Sequence, residues 1–215
     1  MNAARKPVAV VVGATTKWQA DGRMTKLAHG QALDDSSFPP GVRWGIGGAI
    51  AQKFAAEGYF VVLTTRTAAN AAALEGAIRE QGGECMTVEL DLVSSDSIST
   101  AFAMIRAEAG VPEVLVYNAG YLEGRDLPPG QELLEYIPLE MFETAQHISS
   151  RGPFLVAKEV LPAMREKGEG SFLISNNNFS LRGKKRNTGE SLYYPRGMMR
   201  TLSQVLTEEY SEHGV

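Results

Sequence analysis

Short apolar runs of strand character alternate with helical segments along this chain, and that alternation limits the fold more than any other feature. The first run, Val8 to Val12, is an unbroken apolar stretch that ends at Gly13. Runs of this kind are typical of strands that are covered on both faces of a parallel sheet. Because parallel strands joined by helices form right-handed crossovers, the sequence predicts a doubly wound α/β fold with helices on both faces.

The predicted elements fill one domain that spans residues 1–215. Strands are predicted at residues 8–12, 60–63, 86–90, 114–117 and 171–175. Helices are predicted at residues 45–58, 68–81, 94–109, 138–166 and 195–212. Pro138 is expected as the first residue of the fourth helix, and Pro195 is expected to open the fifth. Helical spacing places four apolar residues on one face of the first helix: Ile46, Ile50, Phe54 and Ala55.

Residues 16–44 interrupt this pattern and resemble neither sheet nor core. Long segments of this kind in compact domains are usually functional or disordered. The segment leaves the chain beside the first strand, so we expect an inserted lid or an oligomer contact. It contains His29, Asp34 and Asp35, but their spacing fits no strong metal motif, and no metal is predicted.

Composition excludes several functional classes. A net charge of −4 argues against a nucleic-acid partner, which usually binds a basic surface. The apolar runs are too short to cross a membrane. The single cysteine, Cys85, rules out an internal disulfide and favours a reducing, cytoplasmic setting.

A split glycine cluster is the first candidate site. Gly13-Ala14-Thr15 follows the first strand, and Gly45-Ile46-Gly47 opens the first helix. Glycines let backbone approach a ligand closely, and the free N–H groups and dipole of a helix N-terminus attract a pyrophosphate. On the glycines alone, a tight turn followed by a small-residue helix start is an equally good interpretation.

The order of the motifs resembles the short-chain dehydrogenase/reductase family. Its T-G-x-x-x-G-x-G turn would match Gly13 and Gly45, with a 28-residue insertion between them. Asp91-Leu92 after strand three and Asn118-Ala119-Gly120 after strand four match further family motifs. The resemblance covers nearly the whole chain outside residues 16–44. It assigns cofactor binding to Gly13, Thr15, Gly45, Ile46, Gly47, Arg66, Asp91, Leu92, Asn118, Ala119 and Gly120.

The resemblance also suggests which cofactor is bound. Where NAD-dependent members carry an acidic residue after the second strand, this chain has Thr65, followed by Arg66. A guanidinium matches phosphate geometry, so NADP is expected and NAD is the less favoured cofactor. The alternative is that Arg66 is an ordinary surface residue at a strand end.

The family's Asn, Ser, Tyr and Lys tetrad is altered at every position. Alignment places Ser149 at Asn, Asn177 at Ser, Leu192 at Tyr and Arg196 at Lys. Asn177 retains hydrogen-bonding capacity and Arg196 retains a positive charge, but leucine cannot donate a proton.

Two tyrosines beside Leu192 are candidates for the missing acid. Tyr193 and Tyr194 follow it directly, and Tyr194 is expected to be extended because it precedes Pro195. The alternative is that both line a wall of the pocket.

The resemblance implies an NADP-dependent oxidoreductase that transfers hydride between a small-molecule carbonyl and an alcohol, in a homo-oligomer. One alternative is a non-catalytic dinucleotide-binding protein that acts as a sensor or assembly subunit. Another is an inactive fragment. In the family, further strands would follow His213-Gly214-Val215, so the C-terminal strands are expected to be missing.

Overall fold

The computed structural model describes residues 5–16, 34, 37–39, 43–121, 127–128, 131, 133–176 and 194–215. Most of the predicted inserted segment therefore lies outside the described residues, as do Asn177, Leu192 and Tyr193. Five strands are described: β1 (Val8–Val12), β2 (Phe60–Thr65), β3 (Glu84–Glu89), β4 (Val114–Tyr117) and β5 (Ser171–Ile174). They form one sheet in the order β3-β2-β1-β4-β5, and every pairing is parallel.

The α-helices connect and follow these strands. They are α1 (Gly45–Ala56), α2 (Ala72–Glu80), α3 (Ser95–Glu108), α4 (Leu139–Gln146), α5 (Gly152–Lys167) and α6 (Gly197–Tyr210). A 3₁₀ turn, Ala68–Ala71, leads into α2, and another, Tyr194–Arg196, leads into α6. No helix in the described part of the chain is long and apolar enough to cross a membrane.

The central strand β1 packs against helices on both of its faces. Val10 and Val12 belong to a cluster that includes residues of α3, α5 and α6, whereas Val11 belongs to a cluster with α1 and α2. All five residues of β1 are buried, and its four valines belong to these two clusters. The predicted doubly wound sheet with helices on both faces is therefore confirmed, as are all five strands.

The predicted apolar face of α1 is not buried at its start. Ile46 is 69% exposed, whereas the buried positions of the helix are Gly45, Gly47, Gly48 and Ala51. A Cβ atom on Gly47 would lie 2.3 Å from the carbonyl oxygen of Gly13. The small residues face inward because α1 begins against the backbone of the turn after β1, which leaves no room for a branched side chain.

The end of the predicted insertion also belongs to the core. Trp44 was expected outside it, yet its side chain is only 9% exposed and packs in the cluster between α1 and α2. Gly48 has no Cβ, and the Cβ of Trp44 occupies the space that this leaves. The expectation for residues 16–44 is thus corrected at Trp44.

The two predicted proline-led helices begin differently from expectation. Pro138 is not the first helical residue but the extended residue before α4, with ψ of 142°. Tyr194 is not extended: it starts the 3₁₀ turn that precedes α6. The ring of Pro195 already fixes φ near the helical value, so a tight turn forms around it. The predicted helix 138–166 is divided by a π-helical turn, His147–Arg151.

Candidate functional site

The candidate site lies at the carboxyl ends of β1, β4 and β5. The chain runs from β1 to β2 on one side and later returns to β4 on the other, so the strand order reverses between β1 and β4. Ligands of open α/β sheets bind at such a reversal, in the crevice outside the carboxyl ends of the strands.

The turn after β1 approaches its neighbours too closely for side chains. Gly13 has a φ of +79°, and a Cβ on it would lie 2.6 Å from the Cα of Ala119. Gly47 meets the carbonyl oxygens of Gly13 and Ala14 at the same turn, where a Cβ would lie 2.3 and 2.8 Å from them. The two halves of the split glycine cluster are therefore brought together despite the insertion between them.

Threonines at the end of β2 hold this turn. The backbone N–H of Gly13 donates to Oγ1 of Thr64 at 3.3 Å, and that of Ala14 donates to the Thr64 carbonyl at 3.0 Å. The hydroxyl of the buried Thr65 donates to the carbonyl of Thr15 at 3.5 Å. The turn is thus fixed by its neighbouring strand and not only by its own sequence.

The start of α1 provides donors for an anion. Trp44 precedes the helix without capping it through its side chain, and the first turn carries no acidic residue. The early N–H groups of a helix have no partner within it, and the helix dipole is positive at this end. The buried Oγ1 of Thr15 has no hydrogen-bond partner among the residues that the structure describes. These features fit the diphosphate of a dinucleotide.

Asn118 connects the turn after β1 to the ends of β4 and β5. Its Nδ2 donates to the carbonyl of Gly13 at 3.0 Å, and its Oδ1 accepts from Oγ of Ser175 at 2.9 Å. Both ends of the amide are used, so the side chain cannot rotate without losing two hydrogen bonds. Ala119 and Gly120 follow it at the same edge of the sheet.

Arg196 brings a buried cation to this edge. Its side chain is 8% exposed, and Nη2 donates to the carbonyl of Ser175 at 3.1 Å. Its own carbonyl accepts from Nδ2 of Asn176 at 3.0 Å. A Cβ on Gly120 would lie 2.5 Å from Nη1 of Arg196, so the guanidinium packs directly against the segment after β4.

Comparisons with known proteins identify the family. A family model described as enoyl-(acyl carrier protein) reductase matches residues 41–215. The chain belongs to the short-chain dehydrogenase/reductase family. It is 28% identical over 187 residues, or 86% of this chain, to the uncharacterized oxidoreductase YxbG of Bacillus subtilis, and covers 65% of that protein. It is 29% identical over 172 residues, or 80% of this chain, to the short-chain reductase protein NovJ of Streptomyces niveus, and covers 62% of it.

A solved structure of the family agrees with the fold. A metagenomic short-chain oxidoreductase in complex with NADP matches with a TM-score of 0.73 and 25% identity. The match covers 98% of this chain and 80% of that one.

The chain spans less than two thirds of the length of the two relatives YxbG and NovJ.

Three of the residues predicted to bind the cofactor, Arg66, Asp91 and Leu92, lie in different environments. Arg66 is exposed, and the side chain of Leu92 is 7% exposed and packs in the core. The carboxylate of Asp91 accepts from the N–H of Val93 at 3.0 Å, which closes a tight turn before α3. Asp91 therefore has a structural partner of its own at this position.

Of the family's four tetrad positions, the described residues include two. Ser149 is 1% exposed and lies in the π-helical turn, and Arg196 lies beside Gly120. Asn177 and Tyr193 lie outside the described residues, and so does the side chain of Tyr194. No group of three potential metal ligands occurs among the described residues.

A buried tyrosine, which the motif analysis did not single out, supports the π-helical turn. The hydroxyl of Tyr117, the last residue of β4, donates to the carbonyl of Ile148 at 2.5 Å. In a regular helix that carbonyl would accept from Gly152, but the Gly152 N–H donates to His147. The next residue, Pro153, has no N–H to offer. The dipeptide Gly152-Pro153 was the sequence signal for an unpaired carbonyl here.

Tyr117 remains a donor over the usual pH range. Its side chain is fully buried, and desolvation raises the pKa of its hydroxyl well above the ordinary value, although the Arg196 guanidinium acts in the opposite direction. A Cβ on Gly152 would lie 2.5 Å from this hydroxyl, so the glycine makes room for it. Tyr117 thus joins β4 to the turn that carries Ser149.

Removing this hydroxyl is expected to destabilise the protein. Tyr117→Phe keeps the ring but leaves the buried carbonyl of Ile148 without its donor, which costs about 1–3 kcal/mol. Chemical denaturation measures the loss, and Tyr210→Phe, at the end of α6, is the matched control with little expected change. Equal stability of Tyr117→Phe and the parent protein would show that the hydrogen bond contributes nothing.

Proposed function

We propose that this chain binds NADP(H) and transfers hydride between a carbonyl and an alcohol of a small molecule. The observation that carries the proposal is the close approach of Gly13, Gly47 and Ala119 at the reversal of strand order, beside the N-terminus of α1, which the side chain of Trp44 does not cap. That arrangement suits a diphosphate, which needs close backbone and free N–H groups. The similar metagenomic oxidoreductase, whose structure contains NADP, supports the choice of cofactor.

The end of β2 supports NADP over NAD. Thr65 is the last residue of β2, and its hydroxyl is engaged with the turn after β1. The next residue, Arg66, is exposed and carries the cation that a 2′-phosphate would meet. An acidic residue at position 65 would instead bind the ribose hydroxyls of NAD.

Reversal of this preference is the first test. In the double variant Thr65→Asp, Arg66→Ala we expect NADPH binding to weaken by about tenfold or more, because a charge-assisted contact contributes about 1.5–3 kcal/mol. NADH should become the tighter ligand. Fluorescence titration of both cofactors measures the change. Arg165→Ala, an exposed charge in the last turn of α5, is the matched control. Equal affinity of the unmodified protein for both cofactors would contradict the assignment.

The nicotinamide, when bound, supplies the hydride, and the chain supplies orientation and a proton. We assign Arg196 to the ribose hydroxyls, and the packing of its guanidinium against Gly120, at the candidate site, supports this assignment. Ser149 aligns with the tetrad position that supports a water relay, and Asn177 aligns with the position that orients the substrate carbonyl. Either side chain can hydrogen-bond a carbonyl or a water. We assign the proton donor to Tyr193 or Tyr194 because Leu192 has no proton to give.

A non-catalytic role is the second candidate. It is favoured by Leu192 at the family's tyrosine position, since that change removes the proton donor while the glycines of the two motifs, Gly13 and Gly47, are retained. A panel of carbonyl compounds assayed with NADPH separates the two: turnover supports the enzyme, binding without turnover supports the sensor or assembly subunit, and absence of NADPH binding contradicts both.

We also propose a homo-oligomer and a cytoplasmic setting. Apolar side chains are exposed near the starts of α5 and α6 and further along α6, at Phe154 (51%), Met198 (55%) and Val205 (43%). Side chains of this kind are suited to burial between two copies of the chain. The only cysteine, Cys85, is a buried free thiol, which suits a reducing compartment.

A further inference from the structure

The phosphate turn of this chain is assembled from two pieces that are far apart in sequence. The first piece ends β1 at Gly13 to Thr15, and the second begins α1 at Gly45 to Gly47. In the family's phosphate turn, four positions separate the first two glycines, whereas 32 positions separate Gly13 from Gly45 in this chain. Because loop-closure probability falls with about the 3/2 power of length, a loop about eight times longer closes about 20 times less readily.

The first piece is held from the side of β2. Thr64 accepts from Gly13 and Ala14, and Thr65 donates to Thr15. These hydrogen bonds fix the departing chain, but they do nothing for the returning chain. The N–H groups offered to a diphosphate, however, belong to the returning chain.

Trp44 holds the second piece. It is the residue directly before α1, with φ of −75° and ψ of −2°, and it is followed by Gly45 with φ of +69°. Its side chain is 9% exposed and belongs to the same buried cluster as Leu74 and Ile78 of α2. A Cβ on Gly48 would lie 2.4 Å from the Cβ of Trp44 and 3.6 Å from Cδ1 of Leu74, so the base of the tryptophan side chain lies tightly against α1.

We propose that Trp44 is a positioning residue for the cofactor: its burial between α1 and α2 sets the first turn of α1 against Gly13 and so offsets the entropy of the inserted segment. The inference rests on the proposed dinucleotide binding. It assigns Trp44 no contact with the cofactor. Its effect on binding passes through the backbone of Gly45 to Gly47.

The test compares two cavity-forming variants in one core cluster. Trp44→Ala removes the indole of the proposed positioning residue. Ile78→Ala removes a side chain of α2 that is 1% exposed and belongs to the same cluster. Trp44→Phe restores an aromatic ring, and Trp44→Leu is the milder replacement if Trp44→Ala does not fold. Each variant is measured by chemical denaturation, by hydrogen–deuterium exchange of residues 45–50 without ligand, and by NADPH titration.

Both alanine variants are expected to lose stability, but only Trp44→Ala should accelerate exchange at residues 45–50 while the rest of the sheet stays protected. NADPH binding should weaken about 20-fold in that variant, recover largely in Trp44→Phe, and stay near the parent value in Ile78→Ala. The proposal is overturned if Trp44→Ala and Ile78→Ala change exchange at residues 45–50 equally, or if Trp44→Ala binds NADPH as the parent does. Absence of NADPH binding in the parent would refute the proposed function, and the exchange comparison would still decide the role of Trp44.

Discussion

Replacement of Gly47 by alanine is expected to weaken NADPH binding strongly. The new Cβ would lie 2.3 Å from the carbonyl oxygen of Gly13 and 2.8 Å from both the carbonyl oxygen of Ala14 and Nδ2 of Asn118. Two of these three atoms are backbone, so the start of α1 must move away from the turn. Overpacking of this kind costs about 1–3 kcal/mol, which corresponds to about 5- to 150-fold in affinity if the bound state bears it.

A second glycine provides the control for this experiment. Gly76 lies inside α2, and a Cβ there would meet nothing within 4 Å. Gly76→Ala should therefore bind NADPH as the parent does and should gain up to about 1 kcal/mol of helix stability. If folded Gly47→Ala binds NADPH as tightly as the parent protein does, the turn formed by Gly13 and Gly47 is not the binding site.

The second large effect concerns the proton donor. In the double variant Tyr193→Phe, Tyr194→Phe we expect turnover to fall by at least about 100-fold, because general acid catalysis contributes about 10²–10⁴-fold. NADPH affinity should stay nearly unchanged, since neither hydroxyl is assigned to the cofactor. Steady-state kinetics on a substrate found in the carbonyl panel give the rate, and the two single variants show which tyrosine carries the effect.

Arg196 explains why these two tyrosines are chosen. It is buried beside Gly120 and held by hydrogen bonds to Ser175 and Asn176, so it fixes the chain two residues after Tyr194. Tyr210→Phe is the control at the far end of α6. Full activity in the double variant would remove both tyrosines from the mechanism. An inactive parent that still binds NADPH would favour the sensor or assembly role.

The sheet could be predicted from the sequence because its signals are local. The run Val8–Val12 is apolar throughout, and its alternate side chains are buried in two different layers, as such runs predict. The motifs Gly13-Ala14-Thr15 and Asn118-Ala119-Gly120 follow β1 and β4, which are neighbours in the sheet. Their meeting at one edge follows from parallel strands alone.

Other features depend on contacts that no local pattern carries. Helical spacing groups Ile46 with the apolar residues further along α1, but Ile46 is exposed, and small residues lie where the helix meets the backbone of Gly13. In the sequence Trp44 looks like part of the insertion. Its place in the core depends on packing with residues of α2, which are distant in sequence. In the sequence Tyr117 looks like an ordinary strand residue. Its role depends on the carbonyl of Ile148, 31 residues further on, which lies in a π-helical turn and lacks a backbone donor because Pro153 has no N–H.

Calorimetric titration of the unmodified protein with NADPH and with NADH shows whether the two glycine motifs and the start of α1 form one dinucleotide site. We expect saturable binding of one cofactor per chain, with NADPH the tighter ligand by about tenfold or more because of one charge-assisted contact at Arg66. Binding of neither NADPH nor NADH by the folded protein would contradict this expectation.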